Sequence, residues 1–360
     1  MTIDLCLLGD ASSVHTQRWA REMLARNFKV SLITARPQAL DGVEQRVLSP
    51  VKRSADWLLR VGEARRHLRE LAPDIVHAHY ITSYGYLAAR CEQRPLVMTA
   101  WGSDILVSPV ASALIRGLTR WTLKHADLLT GDSRDLVEAM LDYTPGSVVE
   151  QVHWGADMTR FRPSPWTEKT GFQIASLRSW ESNYRIETIV ESAALFHRRH
   201  PEANMHLHLL GGGSQEAALR SRVRALGIDA RVSLHGRLDD AGMMAVLDRC
   251  KVSISIPVSD ATSVSLLESM ACGLPVIASD LPANRDWLDG QEGLMLPKVD
   301  KEPVAALLAD LWRDEGKAKG FGLKNLDRMR RDGSRSVQMD RMAALYATLL
   351  LQRRVAGDFR

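Results

Sequence analysis

The chain has 360 residues, 45% of them hydrophobic and 25% charged, with a formal net charge of +4. That length exceeds one ordinary hydrophobic core and predicts two domains, and the composition excludes disordered and fibrous classes. So mild a positive charge gives no reason to expect a nucleic-acid partner.

Short apolar runs alternate with longer amphipathic stretches along the whole sequence. In the first half the runs are Ile3–Leu8, Lys29–Thr34, Asp74–His77, Leu96–Ala100, Asp127–Thr130 and Val148–Val152. Helical patterns lie between them near residues 14–27, 53–71, 83–91, 110–126 and 133–142. Two prolines within Phe161–Trp166 then read as a linker. Further runs follow at Phe172–Leu177, Met205–Leu210, Arg231–His235, Val252–Ile256, Pro275–Ser279 and Gly293–Leu296. Such alternation predicts an α/β chain of two Rossmann-like, doubly wound parallel-sheet domains, over residues 1–163 and 164–335. A last helix near Ser336–Leu351 begins a tail, 336–360, expected to pack back on the first domain. Ligands of such sheets sit at the carboxyl ends of the strands, so chemistry is expected in a cleft between the halves.

Cys6, Cys91, Cys250 and Cys272 form no CxxC pair and read as buried thiols of a reducing compartment. The first residues lack a basic leader segment, and no run of about 20 apolar residues predicts a membrane span. A cytoplasmic protein is expected. Residues Lys52–Leu71 form an amphipathic helix with Trp57, Val61, Ala64, Leu68 and Leu71 on one stripe and several arginines opposite. That stripe either packs on the domain's own sheet or rests peripherally on the inner membrane face.

The most informative stretch is Ser259–Asp280, SDATSVSLLESMACGLPVIASD. Helix signals begin at Ser263 or Val264, and Gly273 is placed to end the helix. Bare amides at Ser263, Val264 and Ser265 can hold a pyrophosphate without a metal. Glu268, about a turn further in, either accepts ribose hydroxyls or pairs on a surface helix; its apolar neighbours favour the first. Asp260, on the preceding loop, can grip hydroxyls of a transferred sugar.

This stretch resembles the acidic-x7-Glu signature of retaining family 4 glycosyltransferases, whose fold is GT-B. It keeps Leu266, Leu267, Glu268, Met270, Ala271, Gly273, Pro275, Val276 and Ile277, but places Asp260 at the first acidic position and Thr262-Ser263 where Phe-Gly is usual. The resemblance implies a UDP- or GDP-type nucleotide-sugar donor, no cofactor and no metal. It also implies a glycan, lipid-linked or small-molecule acceptor in bacterial surface polysaccharide or glycoconjugate assembly. Further donor contacts follow from it at Gly212 and Gly213 of a Gly-rich turn, at His235, Gly236 and Arg237 of a strand-end turn, and at Gly9 after the first strand.

Arg178 sits at the family's arginine position and is expected to neutralise the leaving diphosphate. The family's lysine is replaced by Tyr184, and the neighbouring Arg185 is either a substitute cation or a solvated helix-start residue. In the N-terminal half, Asp74–His79 resembles a strand-end motif with His79 toward the cleft, while His77 supports the fold. Where the family often has a catalytic histidine, this sequence reads Trp101-Gly102-Ser103-Asp104. Trp101 cannot exchange a proton. Asp104 is either a catalytic residue orienting an acceptor hydroxyl or a helix cap. Two rivals remain open: a nucleotide-sugar epimerase or hydrolase on the same fold, and a catalytically silent nucleotide-sugar-binding partner.

Overall fold

A computed structural model describes residues 2–357. The chain divides into two compact units, one running through Trp154 and resuming at Ser336, the other spanning Gly155–Arg335.

The first unit holds a seven-stranded parallel sheet of β1 (Asp4–Leu8), β2 (Lys29–Thr34), β3 (Glu44–Val47), β4 (Ile75–His79), β5 (Leu96–Thr99), β6 (Leu128–Gly131) and β7 (Val149–Gln151), in the order β3-β2-β1-β4-β5-β6-β7. The second holds a six-stranded parallel sheet of β8 (Phe172–Ser176), β9 (Met205–Leu210), β10 (Val232–Gly236), β11 (Val252–Ser255), β12 (Val276–Ser279) and β13 (Met295–Leu296), ordered β10-β9-β8-β11-β12-β13. Both sheets are doubly wound as expected. In each, the order reverses beside the unit's first strand, between β1 and β4 and between β8 and β11. Those reversals are where open α/β sheets bind ligands.

Central strands such as β5 are buried along their whole length, which is why they read as apolar runs, and β4 is buried as fully with His77 and His79 included. The edge strand β3, Glu-Gln-Arg-Val, is nowhere buried and carries no such signal. The stripe of the Asp56–Leu71 helix packs inward, with Ala64 and Leu68 buried and Trp57, Val61 and Leu71 laid against the same core. All four cysteines are buried free thiols, and burial pushes Cys6 and Cys250 up to about 12.

The units meet in sequence at Trp154–Gly155, earlier than the expected break at 163. Phe161, within the stretch read as a linker, is fully buried in the second core beside Leu266 and Trp287. A buried Phe contributes about 1.5–3 kcal/mol, enough to hold this segment in place. Ala156 extends the attachment by donating to the Gly333 carbonyl (2.8 Å) and accepting from the Arg335 amide (2.9 Å).

The Arg335–Gly357 helix supplies Tyr346 to the first unit. Trp19 Nε1 donates to the Tyr346 hydroxyl (3.1 Å), so that hydroxyl must donate onward to His77 Nδ1. The remaining ring proton of His77 then sits on Nε2 and reaches Thr99 Oγ1 (2.6 Å), which passes on to Thr130 Oγ1 (2.5 Å). Each polar group of this relay from Trp19 to Thr130 has a partner, and one tautomer of His77 satisfies them all. Tyr346→Phe should therefore destabilise the first unit by about 1–3 kcal/mol, the cost of stranding buried donors and acceptors. A urea midpoint of the transition that exposes Trp19 would measure this; an unchanged midpoint would disprove the relay.

Candidate functional site

In the second unit, the loops at the carboxyl ends of β8, β9, β10 and β11 converge. The Val264–Ala271 helix starts at the N-cap Ser263, whose hydroxyl accepts from the Leu266 amide (3.3 Å). First-turn amides of Val264 and Ser265 have no partner within the helix. Its far end closes on Gly273 at φ +67°, with Gly273 donating to Met270 (2.9 Å) and Leu274 to Ser269 (3.2 Å), the double bond of a Schellman ending. Glu268 lies one turn inside and is 5% exposed.

Arg178 follows β8 and points its guanidinium at this helix start. It donates to Ser263 Oγ, to Ser265 Oγ (3.0 Å) and to Asp260 Oδ2 (2.6 Å), while Tyr184 lies flat beneath it with 4.2 Å between guanidinium carbon and ring centre. Only 7% of Arg178 is exposed. Burial pushes the Asp260 carboxyl up, and the Arg178 guanidinium opposes that push. Tyr184, at the family's lysine position, thus supports the arginine from below.

The loop carrying Tyr184 also positions Asp260. Asn183 accepts from the Val258 and Ser259 amides (2.7 and 3.3 Å) and donates its side-chain amide to the Ser259 carbonyl (2.9 Å). Arg185 adopts φ +53° at the end of this turn, is half-buried and takes no ion pair among the described residues.

Glycines permit the next close approach. An added Cβ at Gly211 would collide with the Arg178 carbonyl, and one at Gly213 with the Trp180 carbonyl. Trp180 and Gly212 are bonded through their backbones (3.1 Å), and Glu181 accepts from the Ser214 amide (2.8 Å), closing the turn. The Gly211 amide donates to the Gly236 carbonyl (2.8 Å), which brings the His235–Arg237 turn alongside, with exposed Arg237 over Gly212. His235 is held by His208 (3.0 Å), which in turn meets Gln173 (2.8 Å). Burial lowers both histidines, His208 to about 4.

The structure thus unites Arg178, Asp260, Ser263, Val264, Ser265, Gly212, Gly213, Gly236 and their neighbours in one unit. Glu181 and Asn183 gained no supporting role from the sequence, because their partners, Ser214 and Ser259, are distant along the chain, and the ring of Tyr184 reaches Arg178 only through the turn between them. Gly9 and Asp104 belong to the other unit. Gly9, at the end of β1, is bonded to Ile33 and packs on Thr16. Asp104 is fully buried, and its two oxygens accept the Ile81 amide (2.7 Å) and the Trp101 amide (2.9 Å). Burial raises its carboxyl to about 6 against those bonds. Asp104 therefore braces the loops after β4 and β5.

Two family models match the chain, "Glycosyl transferase 4-like" over residues 4–133 and "Glycosyl transferases group 1" over 171–314. The chain is a glycosyltransferase of the GT-B type. Among curated relatives it is 23% identical over 292 residues to the N-acetyl-alpha-D-glucosaminyl L-malate synthase of Bacillus anthracis, covering 77% of this chain and 74% of that protein. The sucrose-phosphate synthase of Thermosynechococcus elongatus superposes with a TM-score of 0.81 at 16% identity, covering 97% of this chain and all of that one. HepE of Anabaena, solved with UDP, gives 0.79 at 14%, with 97% of this chain and all of that one covered. No helix among the described residues of this transferase is long and apolar enough to cross a membrane.

At the carboxyl end of β4 in the first unit, His79 is 1% exposed, and neither ring nitrogen has a partner. Burial lowers its imidazole to about 3, and His77 also falls well below the usual range. Both rings stay neutral when folded and gain protons on unfolding, so their stabilisation is complete above pH about 6.5 and drains away as pH falls toward 3. Each should contribute a slope of about 1.4 kcal/mol per pH unit in that window. Urea midpoints at pH 7 and pH 5 should differ accordingly, and His79→Gln should flatten the difference; equal midpoints in the parent protein would rule this out.

Proposed function

We propose that this glycosyltransferase is a retaining enzyme that uses a UDP- or GDP-linked sugar without a metal ion. The observation that carries the reading is Arg178 aimed at the start of the Val264–Ala271 helix, where two linked phosphates would find a guanidinium, two serine hydroxyls and first-turn amides together. Glu268 holds the ribose, Asp260 holds hydroxyls of the transferred sugar once the diphosphate takes its place on Arg178, and the Gly212–Gly213 and His235–Arg237 turns line the nucleotide. Arg185 is a further cation within reach of this loop. That HepE was solved with UDP bound supports the choice of nucleotide.

In the transfer, the bond between the anomeric carbon and the diphosphate oxygen breaks, and the acceptor oxygen bonds to that carbon on the same face. The acceptor proton passes to the departing phosphate. Arg178 and the helix start stabilise the charge that collects there. The acceptor is a glycan or lipid-linked saccharide of bacterial surface polysaccharide or glycoconjugate assembly, met at the cytoplasmic face of the membrane. Exposed Leu58 and Leu59 provide for peripheral contact there.

Isothermal titration in the presence of EDTA should show UDP or GDP binding, weakened by about 1.5–3 kcal/mol in Glu268→Ala, as for a lost charge-assisted bond. Unchanged affinity would remove Glu268 from the site. Arg178→Ala should lower kcat by far more than it weakens donor binding; equal losses would contradict its assignment to the leaving group. Proton NMR of the first product should show the donor's anomeric configuration, and an inverted product would refute retention.

A further inference from the structure

A cavity of about 440 Å3 opens in the first unit at the carboxyl ends of β1, β2 and β4, beside the reversal of strand order. Its size suits a mono- or disaccharide. The walls are aromatic: Trp57 and Tyr84 meet edge to face at 4.7 Å, and Trp101 stands opposite. Flat rings of this sort receive the apolar face of a sugar.

The polar groups of the cavity are of two kinds. His79 and Trp101 line it through their rings, and the nitrogens of both rings are buried without a protein hydrogen-bond partner. The backbone beside it is strained, since Tyr80 is held at φ +72° before the π-helical turn Ile81–Gly85. Strain of this kind persists where surrounding structure enforces it and collects at ligand sites.

At the mouth the charge is lopsided. Arg36, Lys52 and Arg53 line the cavity against one carboxylate, Asp10, which is bound to Arg36 at 3.2 Å. Asp56 accepts the backbone amides of Lys52 and Arg53 (2.8 and 2.9 Å), fixing that loop, while the two side chains make no ion pair among the described residues. Three lining cations against one lining carboxylate, beside an aromatic, sugar-sized cavity, favour an anionic ligand over a neutral one.

We infer that this cavity takes the acceptor, and that the acceptor is a saccharide carrying a phosphate or carboxylate group. Lys52 and Arg53 grip the anion, and Trp57 and Trp101 flank the ring. The assignment rests on the transferase reading above only in calling the ligand an acceptor; its binding chemistry stands apart from the donor site. The anion could belong to a soluble sugar phosphate or to the diphosphate of a lipid-linked saccharide.

The test uses the full chain saturated with UDP, so that the donor site cannot take the probes. Glucose 6-phosphate, glucuronic acid and glucose are titrated in turn by calorimetry, and vesicles bearing a polyprenyl-diphosphate sugar are tested by flotation against vesicles of neutral lipid. At least one anionic probe should bind tenfold or more tighter than glucose. The exposed double variant Lys52→Ala/Arg53→Ala should lose that margin while keeping its affinity for UDP. Binding of glucose 6-phosphate would assign a soluble acceptor, and capture by the diphosphate vesicles alone a lipid-linked one. Equal binding of glucose and both anionic probes, an unaffected double variant, or failure of every anionic probe would overturn the proposal. Failure of UDP to bind would instead count against the donor-site reading, since the same probes can be titrated without it.

Discussion

Everything at the donor end depends on a cation held where a cation is disfavoured. Arg178 points into the start of a helix, the positive end of its dipole, at a cost of about 0.3–1 kcal/mol. Its bond to Asp260, 2.6 Å long, is charge-assisted and places a carboxylate where the helix dipole favours one. The two serine hydroxyls and the Tyr184 face complete the surroundings of a side chain that is almost fully buried. Without Asp260 the guanidinium, the serines and the first-turn amides would all present positive potential to one another. Under the proposed function, the carboxylate of Asp260 holds one position of an anion site, and a diphosphate arriving there would meet donors already aimed.

This pair is built by the sheet. β8 and β11 are neighbours at the reversal of strand order, so the loops that follow them leave in different directions and open a space between their ends. Arg178 comes from one loop and Asp260 from the other. Asn183 then ties the two loops by backbone and side-chain bonds, and the glycines at 211 and 213 let a third loop press against Arg178 and Trp180. The first unit repeats the plan: its cavity lies beside the reversal between β1 and β4, with His79 at the end of β4.

Much of this was readable in the sequence, for identifiable reasons. Parallel strands buried on both faces are mostly apolar, so β1, β5 and β12 announce themselves, whereas β3 is an exposed edge and looks like loop. Arg178, Asp260 and Glu268 were legible because strand end, loop and helix start have short fixed spacings. The support from Glu181 and Asn183 was not, since it arises only where separate loops meet. Asp104 shows the limit of local reading. A carboxylate three residues after a strand-end tryptophan suits either a cap or an acceptor contact, and only burial and the two amides on its oxygens decide that it is a brace. Phe161 misled for the same reason: flanking prolines suggest a linker, but its ring fills the second core.

The groups around the first unit's cavity also bear on where the acceptor proton can go. A general base works best with a pKa near the ambient pH. His79 is held down at about 3 by burial, Asp104 is committed to two amides, Asp10 is paired with Arg36, and Trp101 has no proton to exchange. None of these is matched to deprotonating a sugar hydroxyl near neutrality. Under the proposed retaining transfer that mismatch is no defect, because the departing phosphate receives the proton and the cavity has only to hold the hydroxyl in place.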